Sequence, residues 1–163
     1  MATKLKKESA SELESIKDFK KFRIAIIVSE WNSEITFAMM NGAIDFLTSK
    51  GVKEKNISVH KVPGAYELAL GAQFCADNKN VDAIITLGCV IQGETRHFDF
   101  ICDACANGIM NVSLTFNKPV AFGVLTTENE KQAKERSGGK LGNKGVEAAE
   151  AVLKMLIFQK SMN

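Results

Sequence analysis

An α/β fold, a parallel sheet sandwiched between helices, is predicted by three observations. Four strand-length apolar stretches recur along the chain, at Phe22–Val28, Asn56–Val62, Ala83–Leu87 and Val120–Thr127. Each is followed by a segment with helical apolar spacing. Four such units stand in a row. Strand-then-helix units in series bury both faces of a parallel sheet. Right-handed crossovers then give a doubly wound, flavodoxin-like three-layer sandwich with a central four-stranded sheet.

The elements follow in order. Residues 1–21 carry Lys4, Lys6, Lys7, Lys17, Lys20 and Lys21 against Glu8, Glu12, Glu14 and Asp18, and read as an arm. "FRIAIIV" is the first buried strand. The turn Ser29–Ser33 follows, where Asn32 or Ser33 can cap the next helix. That helix places Ile35, Met39, Gly42, Ala43, Phe46 and Leu47 on one face and ends at Gly51. "NISVHKV" alternates as the second strand and Pro63-Gly64 stops it. "AYELALGAQFCA" then starts a helix with a flat face of Ala65, Ala69, Ala72 and Ala76. The third strand, Ala83–Leu87, breaks at Gly88 into loop chemistry through Gln92, Gly93, Glu94 and Thr95. A helix is predicted from His97 to about Phe116, with Phe98, Ile101, Cys102, Cys105, Ile109 and Val112 on one stripe. Pro119 opens the fourth strand. Two helices end the chain, from Glu128 and from Val146, with a Gly-rich hinge, "SGGKLGNKG", between them. No repeat, linker or low-complexity segment divides residues 22–163, which read as one domain.

Bulk properties narrow the function. Net charge is +2, with 45% hydrophobic and 25% charged residues, ordinary for a globular protein and without the basic footprint of a nucleic-acid binder. No apolar run approaches the roughly 20 residues of a membrane helix. The charged N-terminus has no secretory h-region, and four cysteines lack a disulfide framework, so a cytoplasmic location is expected. Cys102 and Cys105 form a C-x-x-C, but both lie on an apolar stripe without a second ligand pair, so core packing is preferred over a metal or redox site.

Ligands of such sheets bind beyond the carboxyl ends of the strands. Trp31 and Asn32 follow strand one, Tyr66 and Glu67 strand two, and Glu94, Thr95, Arg96 and His97 strand three. Trp31, the single tryptophan, can stack on a planar ligand, or lid the edge of the core. Glu67 can accept hydrogen bonds from a ligand, or simply complement a helix start. His97 can carry a proton near neutral pH, or be a polar first-turn residue. The loop before it is neither GxxxxGK[ST] nor GxGxxG, yet a loop opening a helix offers N–H donors to an anion. There, Glu94 must point away and leave the binding to the main chain. Arg136, Lys140 and Lys144 suit phosphate, or form a solvated basic loop.

Five motifs in order carry a family resemblance from about Phe22 to Phe158: "WN" at Trp31-Asn32, "VPGAYEL" at Val62–Leu68, "TLGCVIQGETRHFDF" at Thr86–Phe100, "PVAFGVLTTEN" at Pro119–Asn129 and "ERSGGKLGNKG" at Glu135–Gly145. The chain resembles the lumazine synthases, whose members make 6,7-dimethyl-8-ribityllumazine, the immediate precursor of riboflavin. The resemblance implies that Trp31 stacks on the pyrimidine of 5-amino-6-(D-ribitylamino)uracil with Asn32 beside it. Gly64, Ala65, Tyr66 and Glu67 would hold the ribityl chain and ring edge, and Cys89, Val90 and Ile91 would line the pocket. Glu94 and Thr95 match a loop that holds the phosphate of 3,4-dihydroxy-2-butanone 4-phosphate, and His97 matches the proton donor. Phe122 and Arg136 match residues contributed by an adjacent subunit, with Lys140 and Lys144 close enough in sequence to assist. Gln92 stands where many members have a basic residue and Arg96 where many have a small one.

The implied reaction is a condensation with loss of phosphate and ring closure, requiring no redox cofactor and no metal. The implied assembly is a pentamer, and the short hinge favours twelve pentamers in an icosahedral shell, with riboflavin synthase as a candidate partner. Two other readings compete. A flavin-binding module of flavodoxin type would need a Ser/Thr/Gly-rich loop after strand one, where "SEWNS" stands instead. A non-catalytic shell would not need Trp31, Glu67, His97 and Arg136 together.

Overall fold

A computed structural model of the chain describes residues 19–162. The strands are β1 (Ile24–Ser29), β2 (Ile57–Val62), β3 (Ala83–Ile91), β4 (Val120–Thr127) and the short β5 (Ser137–Gly139) and β6 (Gly142–Asn143). The α-helices are α1 (Ser33–Ser49), α2 (Leu68–Asp77), α3 (His97–Phe116), α4 (Glu130–Arg136) and α5 (Lys144–Ser161). β1 to β4 form one parallel sheet in the order β2-β1-β3-β4. The expected doubly wound sandwich is therefore present.

Alternation along the two central strands builds both faces. Ile24, Ile26 and Val28 of β1 point with Ile85, Leu87 and Cys89 of β3 into a core closed by α1, α4 and α5. Ala25, Ile27 and Ile84 point the other way, onto α2 and α3. No residue of β1 exceeds 1% exposure, which is why its sequence reads as an unbroken apolar run. Each fully buried Ile or Val contributes about 1.5–3 kcal/mol.

The outer strands differ. β2 pairs only with β1 and exposes Ser58, Val59, His60 and Lys61, so its alternating sequence reflects an uncovered edge. Phe122 lies on the other edge strand, β4, opposite Thr86 and 38% exposed.

Four expectations need correction. Gly88 does not end the third strand, which runs on through Ile91. A Cβ at Gly88 would stand 2.8 Å from Leu68 Cδ1, so the glycine serves close helix approach rather than a turn. The second helix starts at Leu68, not Ala65, so the flat face keeps Ala69, Ala72 and Ala76 while Ala65 packs from the preceding turn. Asn32 occupies the N-cap position of α1 without a side-chain cap. The Gly-rich hinge is the β5–β6 hairpin. Residues 1–18 of the expected arm lie outside the described residues; Phe19–Lys21 form a 3-10 turn with Phe19 buried, its ring 6.2 Å from that of Phe22.

The hairpin is anchored on α1. Asn143 Nδ2 donates to the Ala38 carbonyl at 3.1 Å, and its Oδ1 accepts from Gly145 N at 2.8 Å, capping α5. A Cβ on Gly145 would overlap the Met39 carbonyl, and a main-chain group cannot step aside cheaply. Gly145→Ala is expected to lose about 1–3 kcal/mol of stability, read as a lower urea midpoint with an unchanged m-value.

Candidate active site

The carboxyl ends of β1, β2, β3 and β4 meet at one rim, and main-chain bonds join neighbouring ends. Glu30 N donates to Val62 O at 2.8 Å and Trp31 N to Pro63 O at 3.0 Å, tying the β1 turn to the end of β2. Gln92 N donates to Thr127 O at 2.8 Å, tying β3 to β4. Between β1 and β3, where the winding reverses, Asn32 Nδ2 donates to Cys89 O at 3.0 Å. A reversal of strand order leaves a crevice at this place.

Trp31, in the turn after β1, keeps its side chain out of the core, 73% exposed, so lidding the core is excluded. In the turn after β2, Gly64 N donates to Glu67 Oε2 at 2.9 Å, which holds the carboxylate at the turn. Ala65 is buried and its carbonyl accepts from Cys105 Sγ at 3.2 Å, while Tyr66 is 61% exposed. Gly88 admits Leu68 and brings Ala65 to the same stretch of β3. Thus Gly64–Glu67 and Cys89–Ile91 flank one another. Cys89 itself points into the α1–α5 core, and burial pushes its thiol up to about 11, so its contribution to the rim is main-chain rather than nucleophilic. Cys105 is pushed up to about 12 by burial, with Cys102 adding to the effect. Cys102 is half-buried, less so than a core stripe predicts. Among the described residues no cluster of His, Cys, Asp and Glu is arranged for a metal.

The stretch from Gln92 to His97 is exposed throughout. Arg96 holds the N-cap position of α3 without a side-chain cap. His97 N makes one long bond to Thr95 Oγ1, 3.4 Å, and Asp99 N bonds Arg96 O at 3.1 Å. The start of a 20-residue helix is thus left open to an outside acceptor. Arg96 faces Asp99 across 3.7 Å, both well exposed.

Arg136 lies elsewhere. It ends α4, on the α1–α5 side of the sheet, whereas His97 opens α3 on the opposite side. Its guanidinium grips Glu147 with both Nη atoms, each at 2.9 Å, and Nη1 also donates to Leu141 O at 2.6 Å. Of its five N–H donors, Nε–H and the second Nη2–H share the remaining edge, a fork for an oxyanion. Lys144 Nζ approaches Glu147 at 3.6 Å. Lys140 instead lines a surface groove of about 410 Å³ with Glu130, Lys131 and Lys134. Glu147 is the residue that the sequence reading missed. Its one local signal is an acidic group in the first turn of α5, and only the hairpin brings it to Arg136.

A parallel sheet whose winding reverses between β1 and β3, with turns stitched together at the strand ends, places the chain in the class of doubly wound α/β proteins. The family model for 6,7-dimethyl-8-ribityllumazine synthase matches residues 21–160. A 6,7-dimethyl-8-ribityllumazine synthase of Cytophaga hutchinsonii is 60% identical over 131 residues, covering 80% of this chain and 82% of the relative. Those of Parabacteroides distasonis and Flavobacterium johnsoniae are 43% and 46% identical, over 97% and 98% of this chain and 99% and 84% of theirs. The chain belongs to the 6,7-dimethyl-8-ribityllumazine synthase family, as its motifs imply.

The Arg136–Glu147 pair ties stability to pH. Hydrogen bonds from the guanidinium hold the Glu147 carboxyl below the ordinary glutamate range, against an opposing effect of partial burial and with help from the charges of Arg136 and Lys144. A depressed carboxyl contributes stability above its unfolded value, near pH 4.3, and loses it as pH falls through the folded value. Glu147→Gln should therefore be less stable than the parent at neutral pH, with the difference shrinking below about pH 4, as read from urea midpoints across that range.

Proposed function

We propose that this chain condenses 5-amino-6-(D-ribitylamino)uracil with 3,4-dihydroxy-2-butanone 4-phosphate to give 6,7-dimethyl-8-ribityllumazine, phosphate and water. The observation that supports this reading is the rim: main-chain bonds tie the turn that carries Trp31 to the end of β2, and Asn32 ties the same turn to Cys89 on β3. The indole stacks on the pyrimidine. Glu67, Tyr66 and the turn Gly64-Ala65 take the ribityl hydroxyls and ring edge, and the main chain at Cys89, Val90 and Ile91 lines the floor. The open N–H groups at Glu94, Thr95 and the start of α3 take the phosphate.

The amine attacks the ketone and the adduct loses one water, phosphate leaves by elimination, and the second nitrogen closes the ring with loss of another water. His97, beside the phosphate loop, carries the proton. Holding both reactants in line supplies most of the acceleration. Cys89 and Cys105 are not the nucleophiles of the scheme, since burial pushes their thiols up to about 11 and about 12.

The site is completed by a second copy. Phe122 lies on an open sheet edge, and Arg136 lies across the sheet from His97. In a ring of copies both reach a neighbour's rim, Phe122 closing the pyrimidine pocket and the free edge of Arg136 gripping the phosphate. Lys144 adds positive charge there, and Lys140 borders it. Exposed apolar residues on α2 and α3 (Leu70, Phe74, Phe100, Met110 and Leu114) support burial between copies. A pentamer follows, and the short β5–β6 hairpin favours a shell of pentamers. Four free cysteines suit a reducing cytoplasm. Residues 22–163 act as one domain behind an N-terminal arm.

Mixing the two substrates with the protein should produce lumazine fluorescence; its absence refutes the reading. His97→Ala should lower kcat by about 100-fold, the low end for a positioned proton carrier, without abolishing it. Arg136→Ala should raise KM for the phosphate substrate by tenfold or more, about the loss of one charge-assisted bond. Co-assembled His97→Ala and Arg136→Ala chains should exceed the activity of either variant alone, because some shared sites then carry both native residues. Sedimentation separates a pentamer from a shell.

A further inference from the structure

Asn32 and Asn117 are the non-glycine residues with positive φ among the described residues, 59° and 49°. Asn117 ends α3, where left-handed backbone is common. Asn32 begins α1, where an N-cap residue is ordinarily extended. Its carbonyl still accepts the first helical bonds, from Ile35 N at 2.9 Å and Thr36 N at 3.0 Å. Its side chain turns away from the helix and crosses to Cys89 O. Two demands therefore meet at this position: a left-handed backbone and an amide donor.

Trp31 precedes it. The main chain of Trp31 is held on both sides, its N–H by Pro63 O and its carbonyl by Ser29 Oγ at 3.4 Å. Thr36 Oγ1, fully buried, bonds Ser29 O at 2.7 Å and anchors the same turn. The indole lies largely outside the fold, so what the turn fixes is the direction of the Trp31 Cα–Cβ bond and with it the set of rotamers open to the ring. Glycine at position 32 would adopt the turn but lose the strap. Aspartate would tolerate the turn but bring an acceptor against the Cys89 carbonyl. Alanine would satisfy neither demand.

We propose that Asn32 is a positioning residue: its left-handed turn and its amide bond to Cys89 aim the Trp31 indole along the β3 rim, and it acts on the pyrimidine through that ring rather than by touching it. The inference rests on the proposed pyrimidine pocket. It departs from the expectation that Asn32 lies against the substrate as a ligand.

The test is a double-mutant cycle between positions 31 and 32. Asn32→Ala and Asn32→Asp are expected to raise KM for 5-amino-6-(D-ribitylamino)uracil about tenfold, with kcat changed less than about threefold, and to shift the emission of Trp31, the single tryptophan. Asn32→Gly, which keeps the turn, should fall between these and the parent. In a Trp31→Ala background, Asn32→Ala should add nothing to KM. Full additivity would show direct contact with the substrate and overturn the proposal, as would an unchanged KM and emission in Asn32→Ala. Should the parent protein form no lumazine, the condensation reading fails, and the Asn32 inference is then decided by Trp31 emission, which needs no substrate. Melting temperatures identify any variant that does not fold, and the Asn32→Gly cycle then decides in its place.

Discussion

β1 and β3 lie side by side, buried on both faces, and diverge only at their carboxyl ends. That pairing governs the molecule. The turn that carries Trp31 hangs from β1, is bonded through its main chain to the end of β2, and is strapped to β3 by Asn32. Because both strands are packed against helices above and below, their ends cannot shift without disturbing two cores at once. A rim built on such strands is rigid even where its side chains are exposed, which suits the proposed stacking of the exposed indole on a flat ligand.

Burial also decides which groups keep their chemistry. Cys89 and Cys105 are held as neutral thiols by the core. Glu67 and Arg136 are each already held by a hydrogen-bond partner, and each keeps donor or acceptor capacity unspoken for. Groups held in this way lose little conformational freedom on meeting a ligand, so binding is not diluted by ordering costs. Arg136, on the opposite side of the sheet from His97, is neutralised by Glu147 within its own chain, and only its outer edge is left for the neighbour of the proposed assembly.

Much of the architecture was legible because it is local or periodic. α3 runs from His97 to Phe116 and β4 from Val120 to Thr127, as helical spacing and the proline before the strand predict. The misreadings share a cause. Gly88 resembles a turn residue, yet the space it leaves is filled by Leu68, twenty positions earlier in the chain. "SGGKLGNKG" resembles a flexible hinge, yet Asn143 fastens it to a helix begun more than a hundred residues before. Glycine reports only that a side chain is unwanted; whether for a turn or for close packing depends on a distant neighbour.

The sequence by itself determined the strand-and-helix order, the parallel sheet and the family, since these follow from periodicity and from motifs contiguous in the chain. It also singled out Trp31, Glu67 and His97 by their place after strands. Only the tertiary structure decided that Asn32 serves β3 rather than its own helix, that Glu147 meets Arg136, and that Arg136 and His97 lie on opposite sides of one sheet. Those relations join residues far apart in the chain, and long-range pairing leaves no periodic trace in a single sequence.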